Sequence, residues 1–422
     1  MFRFLHAADV HLDSPLRGLD RYEGAPVDEI RGATRTAFRA LIDLAIGESV
    51  DFVLLAGDLY DGDWRDYSTG LLVHRELSRL REAGIRVFLI SGNHDAASQI
   101  TKHLRLPEGV TRFPVDRPAT ETIDDLRVAI HGQGFGTREV REDLSKDYPQ
   151  PLASWFNIGM LHTSADGREG HASYAPCRVG DLVSHGYDYW ALGHVHAREI
   201  LNEDPWIVFP GCVQGRHIRE SGEKGCTLVT VSSDQRVSIE HRALDVLRWR
   251  TVDLDISEAE ELDDVYSAVE RRVESELETA DGRFLALRWR LKGECVAHDR
   301  IAEAGEAFTE QVRAVATDIG LGRVWIEKLV CETKSPSTGS EPAGDIGIES
   351  LLESIGAGSE DSEDELLGEI AKDLAPLLRH LPSELTQGAD ALDLSDPEAL
   401  KVLVAQARQQ LVPRLLRSEG GA

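Results

Sequence analysis

Five short stretches of this sequence carry side chains whose types and order point to one piece of chemistry. They are Asp9-Val10-His11, Gly57-Asp58-Leu59-Tyr60-Asp61, Gly92-Asn93-His94-Asp95, His162 within Met160-Leu161-His162-Thr163, and Gly193-His194-Val195-His196. Carboxylate, imidazole and amide oxygen together suit divalent manganese, iron or zinc. No thiolate stands among them, which argues against a structural zinc site. Two ions sharing one carboxylate would sit about 3.5–4 Å apart, the spacing of two-metal phosphatases and nucleases, and Asp58 is the natural bridge. The glycines before Asp58, Asn93 and His194 permit tight turns and close backbone approach. Any one of these motifs alone is more often ordinary structure. All five in this order, each after a strand-like run, are hard to obtain by chance.

Something must bring stretches so far apart in sequence to one place. Short runs rich in Val, Ile, Leu and aromatics recur at residues 2–8, 51–56, 86–91, 126–131, 156–161 and 187–192, and each predicts a buried strand. Apolar residues at helical spacing over 27–46 and 69–83 predict helices between the first three. This is an α/β pattern, with helices covering sheets. In open α/β sheets ligands gather at the carboxyl ends of strands, so one fold can collect all five motifs at one sheet edge. Beyond Trp206 the pattern is more purely β, at 206–209, 226–232 and 237–242.

A second unit is expected from 245 to 331. Strand-like alternation at 249–256, 284–291 and 323–331 sandwiches helical stretches at 258–278 and 300–317, the order of a small α+β cap. Residues 332–348, with Pro, Ser and Gly and little apolar content, read as a flexible linker. Two amphipathic helices are expected within 349–422, at 363–378 and 396–416. The second has Ser395 as a candidate N-cap and Pro397 in its first turn. Their apolar stripes must be buried, either on their own domain or on a partner.

The bulk numbers restrict the partners. Of 422 residues 41% are hydrophobic, enough for a sizeable core, and the formal net charge is −28, from 74 acidic and 46 basic side chains. That balance opposes a broad, non-specific grip on nucleic acid, although bound metal ions can reverse the local field. Five widely spaced cysteines without a CxxC argue against a disulfide framework or a zinc ribbon, and fit reduced thiols in the cytoplasm. Residues 1–12 do not read as a signal peptide, and no apolar run approaches the roughly 18 residues that a membrane span requires.

The motif set resembles the calcineurin-like metallophosphoesterase superfamily. The fuller wording resembles the YhaO-type DNA repair exonucleases, relatives of the SbcD nuclease subunit. It runs Phe4-Leu5-His6-Ala7-Ala8-Asp9-Val10-His11-Leu12-Asp13-Ser14-Pro15-Leu16, then Tyr187-Asp188-Tyr189-Trp190-Ala191-Leu192-Gly193-His194-Val195-His196, then Pro210-Gly211-Cys212-Val213-Gln214-Gly215-Arg216-His217. The resemblance covers residues 1–242; the cap fits the family's architecture, and the segment 349–422 carries no matching motif. It implies a β-sandwich flanked by helices over 1–242, followed by the α+β cap, the linker and a helical tail.

By position, the resemblance implies one metal ion held by Asp9, His11, Asp58 and His196, and a second by Asp58, Asn93, His162 and His194, with manganese the family's usual ion. His94 would lie beside the metals without ligating them, stabilising the phosphate and helping to protonate the leaving oxygen. Asp61 would orient His94 and support its charged form, where some nucleases of the group carry His; a helix N-cap is its other reading. The implied reaction is in-line attack on a DNA phosphodiester by a metal-activated water, by an exonuclease subunit working with an SMC-type coiled-coil ATPase, possible as a homodimer. Arg216, His217 and Arg219 are candidates to meet DNA phosphates; salt bridges with Glu220 and Glu223 are the competing expectation. Tyr60 and Trp64 are placed either at the site wall or in the core, and His131 and His171 are read as structural or solvent-facing. Two other functions stand beside the nuclease: a phosphomonoesterase or cyclic-nucleotide phosphodiesterase with the same metal core, and a non-catalytic regulator that has kept the fold.

Overall fold

The computed structural model describes residues 1–14, 27–61, 67–97, 106–167 and 175–336, together with 367, 368, 370, 372–374, 400, 401 and 404. Trp64, His171, most of the expected linker and most of the C-terminal segment lie outside the described residues. The chain divides into two compact units. The first comprises Met1–Val252, Glu274–Arg288 and Gly320–Lys328; the second comprises Asp253–Val273, Trp289–Ile319 and the chain from Leu329.

Within the first unit the chain runs β1 (Phe2–Ala7), α1 (Val27–Gly47), β2 (Phe52–Ala56), α2 (Tyr67–Glu82), β3 (Arg86–Ile90), α3 (Asn93–Ala97), β4 (Val110–Arg112), β5 (Ala119–Ile123), β6 (Val128–Gly132) and β7 (Phe156–His162). It continues through α4 (Val179–His185), β8 (Tyr189–Gly193), β9 (Glu199–Glu203), β10 (Trp206–Phe209), β11 (Gly225–Val231) and β12 (Val237–Ala243). Two six-stranded sheets result, in the orders β12-β11-β1-β2-β3-β4 and β5-β6-β7-β8-β10-β9. The central pairs β1–β2, β2–β3, β6–β7 and β7–β8 are all parallel; α1, α2 and α4 make three of the crossovers that parallel pairing requires, and a longer connection with a single 3-10 turn makes the one from β6 to β7.

Alternation along the strands explains the layers. Phe2, Phe4, Phe52, Leu54, Phe88 and Ile90 of the first sheet meet Ile130, Ile158, Met160, Tyr189 and Val208 of the second in one buried cluster. The intervening residues Leu5, Val53, Leu55, Val87 and Leu89 point the other way, onto Phe38, Leu41, Val73 and Leu77 of α1 and α2. On the far side Leu161, Trp190, Leu192 and Ile207 pack with Tyr148, Leu182 and Tyr187. The strands are apolar on both faces because both faces are covered, which is why they read as unbroken hydrophobic runs. The expected α/β sandwich flanked by helices is the fold of this unit.

The remaining strands are β13 (Leu247–Asp255), β14 (Phe284–Glu294) and β15 (Val324–Lys334), in a three-stranded sheet of that order. Between them run α5 (Leu262–Glu278), α6 (His298–Ala304) and α7 (Glu306–Gly320). The single helix expected over 300–317 is two helices, because Gly305 adopts φ 53° and ends the first. At the described C-terminal positions Leu367, Ile370 and Leu374 pack with Leu400 and Val404. The apolar stripes expected over 363–378 and 396–416 therefore meet each other there.

Candidate metal centre

Sheet register brings the five motifs together. Ala7 pairs with Leu55, Ala56 with Ile90, and His162 with Gly193, so β1, β2, β3, β7 and β8 all deliver their next residues to one edge of the sandwich. The loops after β1 and β2 run side by side: the N–H groups of Asp9, His11 and Leu12 donate to the carbonyls of Gly57, Asp58 and Leu59, each at 3.0 Å. Asp9, His11, Asp58 and His194 have φ of 52°, 46°, 53° and 102°. Positive φ is costly for residues with a Cβ and persists where the surroundings enforce it, a pattern that clusters at functional sites. A Cβ on Gly193 would stand 2.0 Å from the Ala56 carbonyl oxygen, and one on Gly92 would stand 2.3 Å from Asp58 Oδ1. Only glycine lets these turns close around the carboxylate and the rings.

The buried side chains then face one another. Asp9 accepts from the His194 N–H with both oxygens, at 3.2 and 3.0 Å, and Asp58 Oδ1 accepts from the His94 N–H at 2.9 Å. Asp58 Oδ2 lies 3.3 Å from His162 Nε2 and 3.9 Å from His11 Nε2. His11 Nε2 is 3.2 Å from His196 Nε2, and His196 Nε2 is 3.9 Å from Asp9 Oδ1. Three triads have ligand atoms mutually within 4.8 Å: Asp9–His11–His196, His11–Asp58–His94 and Asp9–Asp58–His162. His194 stacks edge-on to His162, with ring centroids 5.2 Å apart. Asp9, His11, Asp58, Asn93, His162, His194 and His196 are thus one cluster, with Asp58 between its two ends.

The donor arithmetic of this cluster calls for a cation. His162 Nδ1 donates to the Ala56 carbonyl at 2.9 Å, which leaves the lone pair of a neutral ring on Nε2. That lone pair faces two acceptors, Asn93 Oδ1 at 3.0 Å and Asp58 Oδ2 at 3.3 Å. Three acceptors around one point repel unless positive charge sits among them. A proton can meet the same demand: burial alone would lower the His162 pKa, yet the carboxylates of Asp58 and Asp9 push it up to about 9, so without an ion positive charge gathers on the ring itself. Burial and the surrounding positive groups hold His11 well below its usual value, and its buried Nδ1 has no hydrogen-bond partner. Burial raises Asp9, against the pull of His196 and His162; Asp58 is lowered because His162 and His94 outweigh its burial.

His94 sits at the open side, with its side chain 29% exposed, and its Nδ1 lies 2.6 Å from Asp61 Oδ1. Burial would lower its pKa, but the Asp61 hydrogen bond and the charges of Asp58 and Asp61 raise it. Asp61 Oδ2 accepts from Ser14 Oγ at 2.5 Å. Arg216 turns its buried guanidinium to Glu220, at 2.8 Å, with Asp61 Oδ2 3.7 Å away; His217 is 47% exposed, 3.5 Å from Glu220. Tyr60 is buried against the helix core, and His131 is buried between Thr120 and Asn157.

Three further residues build the site; of these only Glu220 carries an expectation from sequence, as a salt-bridge partner of Arg216, and that ion pair is present. Asp95, the last residue of the GNHD motif, accepts from the N–H groups of Leu59, Tyr60 and Gly92 at 3.0–3.2 Å and so ties the β2 and β3 loops together. Its place in the motif was a usable signal. Glu220 and Ser14 stand in no motif of ligands, and only the folded chain brings them to the site.

Residues 2–198 match the family model described as calcineurin-like phosphoesterase, and residues 249–334 match that described as metallophosphoesterase YhaO, middle domain. The chain is 40% identical over 272 residues to an uncharacterized metallophosphoesterase, YhaO, of Bacillus subtilis, covering 63% of this chain and 66% of that one. It is 27% identical over 270 residues to a DNA double-strand break repair protein Mre11 of Sulfurisphaera tokodaii, covering 60% of this chain and 66% of that protein. The match therefore spans just under two thirds of the length of these relatives. A solved dimetal phosphatase from Danio rerio is 13% identical, with a TM-score of 0.37, over 58% of this chain and 96% of that one. With its candidate metal-ligating motifs gathered at one edge of a helix-flanked β-sandwich, residues 2–198 form a calcineurin-like phosphoesterase domain, and residues 249–334 after it match the YhaO middle domain.

Proposed function

We propose that this protein is a dinuclear metal-dependent phosphodiesterase that degrades DNA from its ends in repair. The observation that carries the reading is the arrangement around Asp58: a buried carboxylate between two groups of imidazoles, with His162 presenting its lone pair to oxygen acceptors. Asp9, His11, Asp58 and His196 would hold one ion, and Asp58, Asn93, His162 and His194 the other, with manganese the proposed metal. Such a pair supplies an acidified water and neutralises the phosphate's non-bridging oxygens.

The chain's own groups do the rest. The Ala56 carbonyl orients His162 and Glu220 orients His196, so that the Nε2 lone pairs face inward. Asp61 takes Nδ1 of His94, which leaves Nε2 to hand a proton to the departing sugar oxygen. The Asp61 hydrogen bond and the charges of Asp58 and Asp61 outweigh burial and raise the His94 pKa, which favours the protonated ring. His217 and Arg219 are the proposed contacts to DNA phosphates. DNA as substrate is supported by the relatives named for double-strand break repair; the YhaO middle domain fits the proposed capping role for residues 245–331. We further place the protein in the cytoplasm, where its free cysteines would stay reduced, as a homodimer with an SMC-like coiled-coil ATPase docked through residues 349–422. Among the described residues no helix is long and apolar enough to cross a membrane.

The test is manganese-dependent hydrolysis of an end-labelled DNA duplex beside a nitrophenyl phosphate ester. Release of nucleotides from the duplex, abolished in Asp58→Asn, is the expected result. Turnover of the small ester with an intact duplex would make the protein a phosphomonoesterase instead.

A further inference from the structure

Beside the cluster of candidate ligands lies a second buried charge arrangement. Glu220 ends the 3-10 turn Ile218–Glu220 and is 5% exposed. Its Oε1 is 2.6 Å from His196 Nδ1, and the same oxygen receives Arg216 Nη2 at 2.8 Å. Its Oε2 receives the Arg216 backbone N–H at 2.7 Å and Nε at 3.3 Å. The guanidinium then continues across the site: Nη1 is 3.4 Å from Ser14 Oγ and 3.7 Å from Asp61 Oδ2. Ser14 donates to that Asp61 oxygen, and the other Asp61 oxygen holds His94. An unbroken polar chain therefore runs from His196 through Glu220, Arg216, Ser14 and Asp61 to His94.

We infer that Glu220 and Arg216 are positioning residues, a buried carboxylate–guanidinium strut that sets His196 for its ion and braces the Asp61–His94 pair from the other end. A carboxylate behind a histidine fixes which ring nitrogen carries the proton and raises the basicity of the other. Here Glu220 takes the Nδ1 proton, so the His196 Nε2 lone pair is directed at His11 Nε2 and Asp9. Arg216 fits this role better than that of a free phosphate binder: its side chain is 13% exposed, and Glu220 engages it in bidentate fashion. The inference rests on the two-metal reading of the site, and it assigns to this pair the ion at the His196 end.

Titration of the full-length, metal-free protein with manganese, followed by calorimetry, tests it without reference to activity. The wild-type chain is expected to take up two ions. Glu220→Gln is expected to bind one of them 10- to 100-fold more weakly, the usual effect of losing such a partner, and the other unchanged. Because Gln removes the nearer of the two carboxylates that face the buried guanidinium, the double variant Arg216→Met/Glu220→Gln is measured too. It is expected to keep the wild-type melting temperature within a few degrees and still to show the weakened ion. Two ions bound with wild-type affinity in both variants would overturn the inference and leave the two-metal reading intact. Failure of the wild-type chain itself to bind two ions would instead overturn that reading.

Discussion

His94 is the residue on which the chemical proposal depends most, and its geometry separates two effects that are often entangled. It touches the ligand cluster through its backbone, by the N–H bond to Asp58, and the open site through its ring. His94→Ala keeps the backbone bond. Metal stoichiometry should therefore stay at the wild-type value while the rate of DNA hydrolysis falls by about 10²–10⁴, the range for loss of a general acid; an unchanged rate would remove the role. Asp95 makes the opposite prediction. It belongs to none of the candidate ligand triads, but three buried N–H groups depend on it. Asp95→Ala leaves all three without an acceptor, at roughly 1 kcal/mol or more each, so urea denaturation should show about 3 kcal/mol of lost stability. Asp95→Asn, which keeps one oxygen, should lose less.

At the scale of elements, the strand ends are the design. Gly193→Ala would place a methyl 2.0 Å from the Ala56 carbonyl oxygen and 2.9 Å from His162 Nδ1, between backbone and the His162 ring. Overpacking of this kind costs about 1–3 kcal/mol. Here it should also displace His162, so that weaker manganese binding accompanies the drop in melting temperature; a variant with wild-type metal affinity would show that the turn is looser than it looks. How much of this was legible beforehand follows from burial. The strands β1, β2, β3, β7 and β8 are covered on both faces, so their runs are apolar throughout and the motifs at their ends stand out. The edge strands β4, β5 and β9 are only half-buried, with residues such as Thr120, Glu121 and Asn202, and nothing in their composition distinguishes them from loops. The candidate ligands stood out because metal chemistry restricts the residue types that can serve, and the fold gathers them in one place. Glu220 was expected only as an ion partner of Arg216; its place behind His196 was not legible, because a carboxylate 24 residues after a histidine has no local signature and only the turn at 218–220 brings it to Nδ1.

At the scale of the whole molecule, two histidines outside the site set a pH limit on the fold. His6 is buried between the sheets, with Nε2 donating to the Leu192 carbonyl and Nδ1 accepting from the Tyr189 hydroxyl, both at 3.0 Å. Both nitrogens are satisfied by the neutral ring, and burial lowers its pKa from 6.5 to about 3. His131 is held in the same way between Thr120 and Asn157, and burial lowers its pKa to about 4. Below pH 6.5 the unfolded chain takes up a proton at each position and the folded chain does not. Their contribution to stability therefore falls as the pH drops from 6.5 toward 4, by about 1 kcal/mol per pH unit for each ring, and is flat above pH 7. Asp95, raised to about 6 by burial and by the Asp58 charge, takes up its proton in the folded state over part of the same window and offsets one of the two. The difference between wild type and His6→Gln isolates a single ring, because glutamine can keep both hydrogen bonds but cannot titrate. Denaturation free energies measured from pH 7 to pH 5 should show the wild-type advantage shrinking by about 1 kcal/mol per unit below pH 6. A difference that stays constant with pH would mean that His6 takes up its proton inside the folded sandwich.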